Sequence, residues 1–94
     1  SPAFFAFFVD CLTRAGIEAG LPAADCREMV EATMRGTAQQ LLDSGEHPRT
    51  YMERVSSPGG TTIAALRAME GDVFRAITDA VDAALERTRE LSEN

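Results

Sequence analysis

The stretch Cys26-Arg27-Glu28-Met29-Val30-Glu31-Ala32-Thr33-Met34-Arg35-Gly36-Thr37-Ala38-Gln39-Gln40-Leu41-Leu42 decides the fold. Cys26, Met29, Val30, Thr33, Met34, Thr37, Ala38, Leu41 and Leu42 step by three and four, the spacing of one face of an α-helix. A helix is predicted over residues 22–43. Leu21-Pro22 starts it and Ser44-Gly45 stops it. Asp25, Glu28 and Glu31 place negative charge toward its N-terminal dipole. Gly36 costs such a helix about 1 kcal/mol relative to Ala. It reads either as tolerated slack or as a point where another helix comes close.

Upstream, Ser1-Pro2 reads as the cap and first residue of an earlier helix ending at Gly20. Phe4, Phe7, Phe8, Cys11, Leu12 and Ala15 form its apolar stripe. Phe5 and Val9 lie off that stripe and are apolar as well. A helix apolar on two sides is buried on two sides, and in a domain this small the second side is expected to meet another subunit or domain. Downstream, His47-Pro48 opens a short third helix through Tyr51, Met52 and Val55, which ends at Ser57-Pro58-Gly59-Gly60. A fourth helix is expected from about Thr61 through Ile63, Leu66 and Met69, interrupted by Gly71-Asp72. A fifth follows, with Val73, Phe74, Ile77, Ala80, Val81, Ala84, Leu85 and Thr88 inward and Asp79, Asp82, Glu86, Arg89, Glu90 and Glu93 solvated. There is no strand pattern, internal repeat or strict heptad. The fold class is all-α, with about five helices.

Ninety-four residues make one small domain, and its margin of stability is thin unless a partner adds burial. The net charge of −6 argues against a nucleic-acid binder, which usually shows a basic face, and against an anionic membrane. The Phe-rich start is too short to span a membrane and lacks the basic region of a secretion signal. Cys11 and Cys26 fall on apolar faces and read as buried free thiols of a reducing compartment, which places the chain in the cytoplasm. With the single His47 they make no metal pattern, so no metal ligand is expected. His47, ahead of Pro48, reads as a capping or surface residue. All nine cations are Arg, so Lys chemistry is excluded. No Ser-His-Asp constellation, paired carboxylate site, dinucleotide fingerprint or phosphate-binding loop occurs.

One constellation carries chemistry. In Ser56-Ser57-Pro58-Gly59-Gly60-Thr61-Thr62, Pro58 fixes a backbone angle and both glycines permit positive φ and an unshielded backbone. Thr61 and Thr62 open a helix whose first N–H groups have no intrahelical acceptor. Such donors at a positive dipole end suit a carboxylate or phosphate, and the hydroxyls of Ser56, Ser57, Thr61 and Thr62 add donors and acceptors. A connection of this kind also serves as a plain turn between helices.

The residues Val55-Ser56-Ser57-Pro58-Gly59-Gly60-Thr61-Thr62-Ile63-Ala64 resemble the signature of Δ1-pyrroline-5-carboxylate reductases. Pro2-Ala3-Phe4-Phe5 resembles the start of that family's C-terminal domain, without the Gly that usually precedes the first Pro. Ala15-Gly16 with Ala19-Gly20-Leu21-Pro22, Leu41-Leu42 with Ser44-Gly45-Glu46-His47-Pro48, and Arg87-Thr88-Arg89-Glu90-Leu91 resemble its later segments. The resemblance covers nearly the whole chain. It implies that residues 1–94 form an interlocked helical dimerisation domain, like the C-terminal domain of 6-phosphogluconate dehydrogenase. It also implies that an N-terminal Rossmann domain holding NADPH or NADH lies outside this chain, leaving no cofactor-binding residue here and the chain alone inactive. The implied partners are a second copy, with further assembly of dimers open, and a small carboxylate substrate, with no nucleic acid and no membrane. By position, Ser57, Gly59, Gly60 and Thr61 would cradle the substrate carboxylate. Thr62, the candidate catalytic residue, would also contact substrate and turn its hydroxyl to the ring nitrogen. The resemblance implies reduction of 1-pyrroline-5-carboxylate to L-proline. The competing reading is a non-catalytic helical dimerisation module whose Pro-Gly-Gly turn is structural only.

Overall fold

The computed structural model describes residues 1–56 and 59–93. Within them the chain forms α1 (Pro2–Glu18), α2 (Ala23–Ser44), α3 (Pro48–Val55) and α4 (Thr61–Ser92), with no strand among the described residues. The chain divides into two compact units, Ser1–Tyr51 and Met52–Asn94.

The first unit is a helical hairpin. The Ser1 hydroxyl accepts from the Ala3 N–H at 3.2 Å and caps α1, and Pro2 takes the first helical position. The far end of α1 closes as a Schellman motif. Gly20 is left-handed at φ 109°, the Leu21 N–H donates to the Gly16 carbonyl at 3.0 Å, and the Gly20 N–H donates to the Ile17 carbonyl at 2.9 Å. The chain then reverses through Pro22, which caps α2 without a side-chain bond. Gly45, left-handed at φ 68°, ends α2 on the Leu41 carbonyl.

The seam between α1 and α2 is made of small side chains. Cys26 is the buried apolar residue of the unit, and its thiol contacts the Thr13 carbonyl at 3.5 Å. A Cβ added at Gly16 would overlap the Cys26 sulfur and touch Leu21. Glycine is therefore required here by the approach of α2. Gly16→Ala gains helix propensity but forces the seam apart, and overpacking costs about 1–3 kcal/mol. The expected outcome is a fall in thermal midpoint that Gly16→Ala/Cys26→Ala partly restores, measured as a double-mutant cycle.

This seam corrects the expected orientation of α1. Val9, Thr13 and Gly16 face α2, whereas Phe4, Phe7, Phe8 and Leu12 are exposed. Cys26 is buried as expected, but Cys11 is exposed because it shares the outward phenylalanine face. The α2 stripe divides in the same way. Cys26, Val30, Met34, Thr37 and Leu41 are wholly or partly covered, while Met29 and Leu42 are exposed. At Gly36 a Cβ would meet nothing within 4 Å among the described residues, so within its own unit no close approach requires the glycine.

In the second unit, α4 is one helix of 32 residues. The expected break at Gly71-Asp72 does not occur, so the expected fourth and fifth helices are continuous. A lone glycine costs about 1 kcal/mol, which the strong helix formers Ala68, Met69 and Glu70 ahead of it and Ala76 beyond it outweigh. No proline or left-handed residue is present there to force a stop. The charged face is solvated as expected, with Arg87–Glu90 at 3.0 Å and Arg89–Glu86 at 3.1 Å. The opposite face was expected inward, yet no described residue of α4 is buried. Val73, Ile77, Val81 and Leu85 are exposed, and Phe74 is 72% exposed.

Candidate functional site

The candidate turn joins α3 to α4. Short α3 starts at Pro48 because His47 caps it: the Arg49 N–H donates to His47 Nδ1 at 3.0 Å, the capping role expected of this residue. The Tyr51 hydroxyl donates to Gln40 Oε1, tying α3 to α2. After Val55 the chain turns at Ser56, which is buried with an Oγ that has no hydrogen-bond partner. Ser57 and Pro58, the first two residues of the expected cradle core, lie outside the described residues.

Gly59 is left-handed at φ 73°, a conformation that disfavours any residue with a Cβ. Gly60 is different. At φ −83° and ψ 177° it is extended, so its expected need for positive φ is not met. Gly60 is the cap residue of α4, and its carbonyl accepts the Ala64 N–H at 3.3 Å, the first turn of the helix. The cap has no side-chain hydrogen bond and the first turn has no acidic residue. The N–H groups of Thr61, Thr62 and Ile63 therefore precede the first intrahelical bond, at the positive end of a long helix dipole. Thr61 and Thr62 are exposed.

The structure thus places Gly59, Gly60, Thr61 and Thr62 together at one open helix start. An arrangement of this kind accepts a carboxylate by backbone donors, with hydroxyls to one side. It contains no strong base and no nucleophile–base pair. Among the described residues no group of three His, Cys, Asp or Glu side chains could hold a metal ion, and no helix is long and apolar enough to cross a membrane. Sequence reasoning did not find the seam of Thr13, Gly16 and Cys26. The small residues at 13 and 16, spaced along one side of a Phe-rich helix, were the available signal.

Residues 1–91 match the family described as pyrroline-5-carboxylate reductase dimerisation. The chain belongs to this family. It is 41% identical over 93 residues to a pyrroline-5-carboxylate reductase of Synechocystis sp., covering 98% of this chain and 35% of the relative. It is 35% identical over 95 residues to that of Escherichia coli, covering 100% of this chain and again 35% of the relative. A solved structure, 1-pyrroline-5-carboxylate reductase from Streptococcus pyogenes, superimposes with a TM-score of 0.91 at 32% identity, over 96% of this chain and 35% of that one. The chain therefore spans about a third of the length of the relatives it matches. Membership in the pyrroline-5-carboxylate reductase dimerisation family accords with helices whose apolar faces remain exposed in a single copy.

Proposed function

We propose that this chain is the homodimerisation and substrate-binding part of a cytoplasmic pyrroline-5-carboxylate reductase. The whole enzyme would reduce 1-pyrroline-5-carboxylate to L-proline with a hydride from NADPH or NADH. The observation that carries this reading is the uncapped start of α4 at Gly59–Thr62, set in a chain that matches reductases along its length. The chain spans about a third of its relatives' length, and dinucleotide binding is assigned in this reading to a separate Rossmann domain. The nicotinamide would supply the hydride. This chain would supply position. Ser57, Gly59, Gly60 and Thr61 would hold the carboxylate through N–H and hydroxyl donors, and Thr62 would turn its hydroxyl toward the ring nitrogen. Fixing the carboxylate orients the C=N bond, and alignment of this kind removes a large part of a barrier without any strong base.

A second copy supplies what the single chain lacks. In a single copy α1 leaves Phe4, Phe7, Phe8 and Leu12 exposed, and α4 by itself leaves Val73, Phe74, Ile77, Val81 and Leu85 exposed. Their burial between two copies would complete the core. Tetramers or rings built from such dimers are a further arrangement of the same unit.

The test is reduction of 1-pyrroline-5-carboxylate followed by oxidation of NADPH and of NADH. The isolated chain is expected to give no turnover, and the same chain joined to its dinucleotide-binding domain is expected to turn over. Turnover by the isolated chain, or none by the joined protein, would contradict the assignment.

A further inference from the structure

The cap of α3 rests on a titratable atom. A backbone N–H only donates, so its bond to Arg49 requires His47 Nδ1 to be an unprotonated acceptor, with the ring proton on Nε2. Protonation converts that acceptor into a donor facing another donor. It also places a positive charge at the positive end of the α3 dipole. Both effects act in the same direction.

We infer that His47 is a pH-sensitive latch on the start of α3. Neutral His47 closes the first turn and protonated His47 opens it. The cap's contribution is present at neutral and higher pH and is lost as the imidazole gains its proton. Histidine is the side chain that changes charge in the physiological range. His47 is exposed, so the proton has free access.

The charged groups bordering this corner are Asp43 in the last turn of α2, Glu46 in the connection and Arg49 in the first turn of α3. Asp43 also accepts a hydrogen bond from Gln39 at 2.8 Å. The Tyr51–Gln40 bond keeps the middle of α3 on α2 when the cap opens, so the opening is local. α3 ends at Val55, immediately ahead of Ser56 and the candidate turn, so the latch sits at the other end of the helix that leads into it.

The experiment is amide hydrogen exchange at Arg49, Thr50 and Tyr51, corrected for intrinsic rates, at about pH 7.5 and about pH 5. In the wild-type protein, protection at Arg49 is expected to fall about fivefold at the lower pH, the size of a lost N-cap. His47→Asn offers a side-chain oxygen that does not titrate, so its protection is expected to stay constant. His47→Ala is expected to be unprotected at both values. Equal pH dependence in wild type and His47→Asn would overturn the inference. So would an imidazole nitrogen spectrum with the proton on Nδ1 at neutral pH.

Discussion

Thr62→Ala in the joined enzyme is expected to lower kcat/KM for 1-pyrroline-5-carboxylate by about a hundredfold. The loss corresponds to one hydrogen bond involving a charged group, about 2–3 kcal/mol, at about 1.4 kcal/mol per factor of ten. Thr62 is exposed in the first turn of α4, and Ala is the better helix former, so the variant is expected to fold with unchanged helicity. Thr62→Ser keeps the hydroxyl and is expected to stay within a few-fold of wild type. Steady-state kinetics on the three proteins separate the two readings of the turn. An unchanged kcat/KM in Thr62→Ala would favour the non-catalytic dimerisation module, in which the Pro-Gly-Gly turn only redirects the chain.

The second large effect concerns α4. Phe74, the one aromatic residue of that helix, is 72% exposed in a single copy. If a second copy covers it, Phe74→Asp removes about 2 kcal/mol of transfer energy per protomer and buries an unpaired carboxylate. The dimer is then expected to weaken by at least about a hundredfold, since each 1.4 kcal/mol is a factor of ten. Phe74→Leu retains apolar bulk and is expected to remain dimeric. Without a covering partner, Phe74→Asp would be an ordinary surface change of about 0.5 kcal/mol or less. Sedimentation equilibrium across a dilution series distinguishes these outcomes.

The helix boundaries were legible because they are written in local chemistry. Ser1-Pro2 capped α1 as read, Gly45 stopped α2, and His47-Pro48 opened α3. The contact face of α1 was not legible. Apolar residues line the helix on both sides, so periodicity alone selects neither. What selects it is close approach: Thr13 and Gly16 admit the Cys26 side chain and the phenylalanines do not. Gly71-Asp72 was misread for a related reason. A lone glycine weakens a helix by a small local amount, and Gly71 does not take the left-handed conformation that ends helices at Gly20 and Gly45. Cys11 and Cys26 look alike in sequence and differ because Cys26 lies in the seam while Cys11 lies on the outward face of α1.

The candidate site was legible to a greater degree, since its residues are contiguous. The structure sharpens the division of labour within it. Gly59 needs to be glycine for its backbone angle, whereas Gly60 has an ordinary extended angle and serves as the cap through which α4 begins. Ser56, read only as one more hydroxyl, is buried and unpaired beside the turn.

Each of the two helical units leaves large apolar side chains exposed, and a second copy is expected to cover them. The most direct test is sedimentation equilibrium of the wild-type chain at micromolar concentration. The expected result is a single folded species of twice the 10.1 kDa chain mass, which loses helicity on dilution into monomer. A folded monomer of 10.1 kDa with full helicity at every concentration would contradict it.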